Sequence, residues 1–247
     1  MSFLNFNKKK KVDNETQNNG ARLITFVEPK NVISEQFRTL RTNIEFSGEL
    51  VDDFQIIMIT SPEMSDGKTM VSSNLAVTWA QAGKKVLYVD ADLRRPTAHS
   101  TFDLWNTNGL TTILAKGDQP REIVKKTFVE NLEVLTSGPV PPNPSELLGS
   151  NRMNPLVKWM RNNYDIIVFD VPPVLAVTDA MVLRQHTDGV VITVKIGKTL
   201  KANIKRTIEN LKMADTKILG VVERVDRKEE KDSAYGYGYG YGYGETK

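Results

Sequence analysis

The chain contains no cysteine among its 247 residues. This absence excludes a disulfide framework, thiol catalysis and zinc–thiolate sites, and it favours a reducing, cytosolic compartment. No apolar run approaches the roughly 20 residues that a membrane-spanning helix needs, and residues 1–11 lack the apolar centre of a signal peptide. We therefore expect a soluble, cytoplasmic protein.

Strong charge of either sign is also absent, because the formal net charge is only +3. An excess this small gives no argument for a nucleic-acid partner. The basic run at residues 8–11 is typical of a solvated tail, and weak attraction to an anionic membrane surface remains the alternative. With 40% apolar residues, the chain has enough material to bury the core of one large domain.

Composition divides the chain into three parts. Residues 1–21 are rich in Asn and Lys and poor in apolar residues, which predicts a disordered basic tail. Residues 22–226 carry the apolar runs of the predicted domain. Residues 227–247 are predicted to form a flexible tail in which glycine alternates with five tyrosines: Tyr235, Tyr237, Tyr239, Tyr241 and Tyr243.

Short apolar runs in the middle part alternate with segments of helical length, which predicts an α/β fold. The runs are apolar throughout rather than at every second residue, as is typical of strands in a mainly parallel sheet flanked by helices on both faces. The six predicted strands are Ile56–Thr60, Val86–Val89, Leu132–Thr136, Ile166–Phe169, Val190–Val194 and Ile218–Val222. Ahead of them, Ile33, Phe37, Leu40 and Ile44 recur at helical spacing and predict an amphipathic helix.

The segment Ser61–Thr69, with the sequence SPEMSDGKT, lies between the first predicted strand and a predicted helix at Val71–Ala82. Gly-Lys-Thr in this context indicates a phosphate-binding loop, in which free backbone N–H groups at a helix N-terminus cradle an anion. We expect Lys68 to reach the β- and γ-phosphates of ATP and Thr69 to ligate Mg²⁺. The predicted nucleotide-binding residues are Ser65, Asp66, Gly67, Lys68, Thr69 and Met70.

Three aspartates follow two predicted strands, at the edge where ligands bind in open α/β sheets. Asp170 in the run DIIVFD is a candidate for holding Mg²⁺, with Thr69 and Asp92 completing the predicted metal site. Asp90 or Asp92 could serve as a base or orient the attacking nucleophile, and the sequence leaves open which of them does so. The predicted catalytic residues are thus Lys68, Asp90 and Asp92.

With the phosphate loop, the run VDADLRRP at residues 89–96, the run FDVPP at residues 169–173 and the terminal tyrosines, the chain resembles the bacterial tyrosine kinases of capsular and exopolysaccharide synthesis. The resemblance implies a P-loop NTPase fold related to septum-site-determining and partitioning ATPases. It identifies Ser61–Thr69 as Walker A, Asp90 and Asp92 as parts of Walker A′, and Asp170 as Walker B.

The family pattern Glu-x-x-Arg-x-x-Arg is matched by Glu35, Arg38 and Arg41. The resemblance implies that these residues serve a ring-shaped homo-oligomer. It also implies recruitment to the membrane and activation by the cytoplasmic end of an adaptor of polysaccharide co-polymerase type. Ser65 departs from the glycine that is frequent in this family and leaves the backbone geometry of the loop to be determined.

The sequence is consistent with three functions. The leading hypothesis is an ATP-dependent protein-tyrosine kinase that phosphorylates its own tail between subunits and regulates polysaccharide synthesis and export. The alternative is a partitioning-type ATPase, whose nucleotide state controls oligomerisation without phosphoryl transfer to protein. A third treats the Gly-Tyr tail as a self-associating adhesive segment.

Overall fold

The computed structural model describes residues 19–51 and 53–225. The predicted tail of residues 1–21 therefore lies mostly outside the described residues, and the five tail tyrosines lie wholly outside them. The described start is more closely packed than the sequence suggested. Ala21, which the prediction assigned to the tail, is buried, and its N–H donates to Thr101 Oγ1 at 2.9 Å.

The described chain is built on one seven-stranded sheet with the strand order β3-β4-β2-β5-β1-β6-β7. Every neighbouring pair is parallel except β3 and β4. The strands are β1 Ile56–Thr60, β2 Val86–Asp90, β3 Lys125–Lys126, β4 Leu132–Leu135, β5 Ile166–Asp170, β6 Gly189–Lys195 and β7 Ile218–Arg224. All six predicted strands are confirmed, whereas the two-residue β3 at the edge is too short to leave a sequence pattern.

Helices cover both faces of the sheet. They are α1 Ile24–Val27, α2 Val32–Gly48, α3 Lys68–Gln81, α4 Ala98–Phe102, α5 Leu110–Lys116, α6 Pro120–Ile123, α7 Pro144–Leu148, α8 Met153–Asn163, α9 Asp179–Leu183 and α10 Lys201–Met213, with a 3₁₀ turn at Arg184–His186. The predicted amphipathic helix corresponds to α2. Among the described residues, no helix is both long and apolar enough to cross a bilayer.

Alternate residues of the central strands supply two separate cores. Ile56 and Met58 of β1 face the cluster that includes α8, whereas Ile57 and Ile59 face the cluster of α2 and α3. All four of these side chains are fully buried. A strand buried on both faces must be apolar at every position, and this requirement explains the continuous apolar runs of the sequence.

The N-terminus of α5 is fixed by the chain that follows β4. The N–H of Leu110 donates to the Thr136 carbonyl at 2.8 Å, and the N–H of Thr111 donates to the Ser137 carbonyl at 2.8 Å. These bonds satisfy two donors that a helix leaves unpaired in its first turn. The close approach needs a residue without a side chain at Gly109.

Gly109→Ala should destabilise the fold, because the added Cβ would lie 2.1 Å from the Thr136 carbonyl oxygen and 2.3 Å from the Gly138 nitrogen. Backbone atoms cannot move aside cheaply, so we expect a loss of about 2 kcal/mol in the free energy of unfolding. Gly220→Ala is the matched control, because a Cβ there meets no atom within 4 Å. Denaturant titration measures both variants, and equal stability of the two would contradict the packing account.

Candidate active site

The phosphate loop joins the end of β1 to the start of α3, as the sequence predicts. The helix begins at Lys68 rather than at the predicted Val71, so its first amides belong to the Gly-Lys-Thr motif itself. Gly67, the residue preceding the helix, has a φ of 95°, and Ser65 has a φ of 62°. Ser65 thus adopts the left-handed conformation that a glycine would reach at lower cost. Serine at position 65, where the family often has glycine, therefore makes the backbone conformation of the loop less favourable at that residue. The phosphate loop still forms its turn.

The Asp66 side chain stabilises the phosphate loop through hydrogen bonds. Its carboxylate accepts the N–H of Glu63 at 2.9 Å and the hydroxyl of Thr199 at 2.9 Å, while Lys198 Nζ donates to the Met64 carbonyl at 2.8 Å. Burial raises the pKa of Asp66, and the two hydrogen bonds oppose that shift. The side chain is engaged in the loop, so only the backbone N–H of Asp66 can serve the predicted nucleotide site.

Lys68 joins two of the predicted acids. Its Nζ lies 2.9 Å from Asp92 Oδ2 and 3.3 Å from Asp170 Oδ1. Burial alone would lower the pKa of Lys68, but the negative charges of Asp170 and Asp92 outweigh it and raise the pKa above its ordinary value. The ammonium is therefore charged across the physiological pH range.

Asp170, the last residue of β5, is fully buried and bound on both oxygens. Its Oδ2 accepts the Thr69 hydroxyl at 2.6 Å and the Tyr88 hydroxyl at 3.0 Å. Ser72 Oγ lies 3.0 Å from the same Tyr88 hydroxyl. Burial raises the pKa of Asp170, while Lys68 and Thr69 favour its ionised form.

Tyr88 is a site residue that sequence reasoning missed. It lies within the predicted strand Val86–Val89, where it is the third of the five residues of β2 and is fully buried. Burial, with the charges of Asp170 and Asp90, raises its pKa well above the ordinary value, so its hydroxyl stays a donor to Asp170. Nothing local in the run VLYVD distinguishes this tyrosine from an ordinary core aromatic.

The two acids of the run VDADLRRP have different surroundings. Asp90 is fully buried, and its Oδ2 accepts the N–H groups of Thr97 at 2.9 Å and Ala98 at 2.8 Å. Asp92 accepts the Arg95 N–H at 3.0 Å and lines a cavity beside the loop. Asp92 is thus the acid placed to meet a ligand, and Asp90 holds the start of α4.

The cavity has a volume of about 530 Å³ and opens beside the phosphate loop. The charged side chains among its described lining residues are Arg22, Lys68, Asp92, Arg94, Arg95 and Arg224. Five basic residues against a single acid give the cavity a positive field that favours a polyanion. The predicted residues Ser65, Gly67, Lys68, Thr69 and Met70 also line it, whereas Asp90 and Asp170 do not.

Arg94 lines the cavity, but its guanidinium is paired with a carboxylate outside the lining. Its Nε and Nη2 donate to the two carboxylate oxygens of Asp179, each at 3.0 Å, and the same carboxylate accepts the Ser145 hydroxyl at 2.6 Å. A bidentate pair of this kind fixes the planes of both groups. It ties the loop after β2 to α7 and α9.

Comparison with known proteins assigns the chain to a family. The AAA domain family matches residues 54–219. Tyrosine-protein kinase YwqD of Bacillus subtilis is 45% identical over 225 residues, which are 89% of this chain and 94% of that protein. The chain belongs to the bacterial tyrosine kinases. Its activity is therefore transfer of a phosphoryl group from ATP to tyrosine in proteins.

Solved structures agree with this assignment. The kinase domain of Escherichia coli ETK superposes on this tyrosine kinase with a TM-score of 0.80 at 34% identity, covering 89% of this chain and 85% of that chain. The septum site-determining protein MinD of Pyrococcus horikoshii covers 72% of this chain and 76% of its own at a TM-score of 0.59 and 24% identity. The second likeness shows the fold alone. Both confirm the fold relation that the resemblance implied.

The motif of Glu35, Arg38 and Arg41 lies on α2, outside the cavity lining of this kinase. Arg38 pairs with Glu35 and donates to the Pro29 carbonyl at 2.7 Å. Arg41 instead donates to the Thr78 carbonyl of α3 at 2.8 Å. Arg41 is thus bound within its own subunit, while the Glu35 side chain is 65% exposed.

Asp90→Asn should remove the contribution of the Asp90 carboxyl to the pH dependence of the free energy of unfolding of the tyrosine kinase. Burial, with the charge of Asp170, raises the pKa of Asp90 from 3.8 to about 7. Between these values the unfolded carboxyl is ionised while the folded one holds its proton, so wild-type stability falls as pH rises through this window. The stability of Asp90→Asn relative to wild type should therefore increase from pH 4 to pH 7, by on the order of 4 kcal/mol, and level off above.

Denaturant titrations at several pH values, with a chelator present, measure this difference. Asp215→Asn changes an exposed aspartate and serves as the control. A stability difference between Asp90→Asn and wild type that does not change with pH would show that Asp90 is ionised in the folded protein throughout.

Proposed function

We propose that this tyrosine kinase uses Mg²⁺ and ATP to phosphorylate Tyr235, Tyr237, Tyr239, Tyr241 and Tyr243 of a neighbouring copy. The observations that carry the proposal are the Lys68 ammonium, held between Asp92 and Asp170 beside a basic cavity, and the five tyrosines of residues 227–247. A partitioning-type ATPase has no need of those tyrosines. By the family resemblance, the reaction regulates capsular or exopolysaccharide synthesis and export.

Lys68 supplies charge where the transferring phosphoryl group needs it. Phosphoryl transfer depends on positioning and on stabilising charge on the phosphate oxygens rather than on covalent help from the protein. When the triphosphate enters the cavity, the ammonium exchanges its contacts with the two carboxylates for contacts with phosphate. The backbone N–H groups at the start of α3 supply further donors.

The oxygen atoms near Lys68 fit a magnesium ion. The Thr69 hydroxyl and Asp170 Oδ2 are 2.6 Å apart, and the Asp92 carboxylate reaches the same cavity. Hydroxyl and carboxylate oxygens suit Mg²⁺, which takes few protein ligands and keeps water and phosphate oxygens in its remaining positions. Thr69, Asp92 and Asp170 would hold the ion. Bound there, Mg²⁺ would neutralise charge on the β- and γ-phosphates.

Asp92 is the acid that we propose orients the tyrosine hydroxyl, since it faces the cavity. Asp90 would act as a positioning residue, because its carboxyl group accepts the backbone N–H groups of Thr97 and Ala98. In the sequence either acid could orient the nucleophile. The cavity lining supports Asp92.

Transfer between subunits can be tested with two full-length variants. The first, used as enzyme, carries phenylalanine at all five tail tyrosines, and the second, used as acceptor, carries Lys68→Met. We expect the acceptor alone to gain no phosphotyrosine, because the charge that meets the transferring phosphate is gone, and the mixture to gain it on the acceptor tail. Mass spectrometry of tail peptides after Mg-ATP treatment measures the result. An unmodified acceptor in the mixture, with wild type active, would exclude transfer in trans.

We propose further that the kinase forms a ring-shaped oligomer through α2 and is activated by the cytoplasmic end of a membrane adaptor. The exposed Glu35 and its partner Arg38 would form the contact between copies. Fully extended, the tail from Asp232 to Tyr243 would reach roughly 40 Å, and we propose that it enters the cavity of an adjacent copy.

Replacing Glu35 and Arg38 together by alanine should reduce particle size and autophosphorylation with at most a small fall in melting temperature, because Glu35 is 65% exposed and the bond from Arg38 to the Pro29 carbonyl lies at the surface. Arg41→Ala should instead lower the melting temperature, since it removes the bond to Thr78 of the same subunit. Light scattering and thermal unfolding separate the two effects. An unchanged size for the double variant would leave Glu35 and Arg38 as solvated residues.

A further inference from the structure

Arg224 enters the site from a part of the chain that no motif marks. It is the last residue of β7, and its carbonyl accepts the N–H of Ile196 at 2.9 Å. Because β7 runs parallel to β6, with Arg224 paired to Lys195, its carboxyl end meets the same sheet edge as the phosphate loop. The backbone of Arg224 is therefore fixed at the rim of the cavity.

The side chain of Arg224 lies over the tightest turn of the phosphate loop. A Cβ built on Gly67 would come within 2.8 Å of Arg224 Cδ and 3.2 Å of its Nη1. Arg224 also lines the cavity together with Lys68 and Thr69. The guanidinium thus stands beside the backbone that is expected to hold the phosphates.

The chemistry of the lining favours a phosphate ligand for this guanidinium. The described residues that line the cavity include five basic side chains and one acid, Asp92, so the cavity as a whole favours an anion. A planar guanidinium can give two parallel hydrogen bonds to phosphate oxygens, which an ammonium cannot match in geometry.

We propose that Arg224 is a nucleotide-binding residue that donates hydrogen bonds to the phosphate chain of bound ATP or ADP. The proposal rests on the ATP-dependent reaction of the preceding section and adds a ligand contact from the last strand. It gives the last residue of β7 a role in nucleotide affinity. The competing account is structural, with the aliphatic stem of Arg224 merely packing on Gly67.

Two substitutions in the full chain separate these accounts. Arg224→Met keeps an unbranched apolar stem over Gly67 and removes the charge, whereas Arg224→Lys keeps a positive charge and loses the bidentate geometry. Arg206→Met on α10 is the control, because it removes an exposed basic residue that does not line the cavity. Displacement of a fluorescent ADP analogue by ADP and by adenosine measures the affinity of each variant.

We expect Arg224→Met to bind ADP about tenfold more weakly than wild type, as for loss of a hydrogen bond to a charged group, while adenosine affinity is unchanged. Arg224→Lys should fall between them, and the difference should shrink as salt is raised. Arg206→Met should match wild type for both ligands. ADP affinity within twofold of wild type for Arg224→Met, or equal losses for ADP and adenosine, would overturn the proposal.

This binding measurement is independent of phosphoryl transfer. A wild-type protein that forms no phosphotyrosine would contradict the proposed tail phosphorylation, yet its affinities for ADP and adenosine would still decide the role of Arg224.

Discussion

The charge balance around Lys68 is the constraint on which the site depends. A buried ammonium or carboxylate costs several kcal/mol unless it is paired and hydrogen-bonded. Here the ammonium lies between Asp92 and Asp170, and the other carboxylate oxygen of Asp170 accepts hydrogen bonds from Thr69 and Tyr88. The strand ends, the loop and the first turn of α3 must all be in place for this balance to hold.

Because Lys68 is already paired with Asp92 and Asp170, binding of a phosphate at Lys68 would exchange one charged partner for another. Lys68 and Thr69 are already engaged by carboxylates within the protein, so in the proposed complex a nucleotide would replace those contacts rather than fill vacant ones. Replacing one charged partner by another avoids leaving any buried charge unpaired. The first turn of α3 can therefore remain where it is while the partners of its side chains change.

Much of the fold could be predicted from sequence, because its signals are local. The continuous apolar runs reflect strands covered on both faces, and Gly-Lys-Thr between a strand and a helix marks the phosphate loop. The short β3 and helices such as α6 and α7 span too few residues to show a period.

Those parts of the site that could not be predicted depend on contacts distant in sequence. Tyr88 and Arg224 enter the site only because strand order brings β2 beside β5 and the end of β7 beside the phosphate loop. The different surroundings of Asp90 and Asp92 likewise follow from the chain path after β2, with Thr97 and Ala98 folding back onto Asp90. The spacing of these residues along the sequence does not indicate that they are in contact in the fold.

The position of β1 has a consequence for how the protein is made. This strand is synthesised first, yet its neighbours in the sheet are β5 and β6, which begin at Ile166 and Gly189. The hydroxyl that holds Asp66 belongs to Thr199, which emerges from the ribosome 133 residues after Asp66. Contacts of such long sequence separation form late in folding. A nascent chain therefore carries Asp66 through the synthesis of 133 further residues before the Thr199 contact that holds the loop can form.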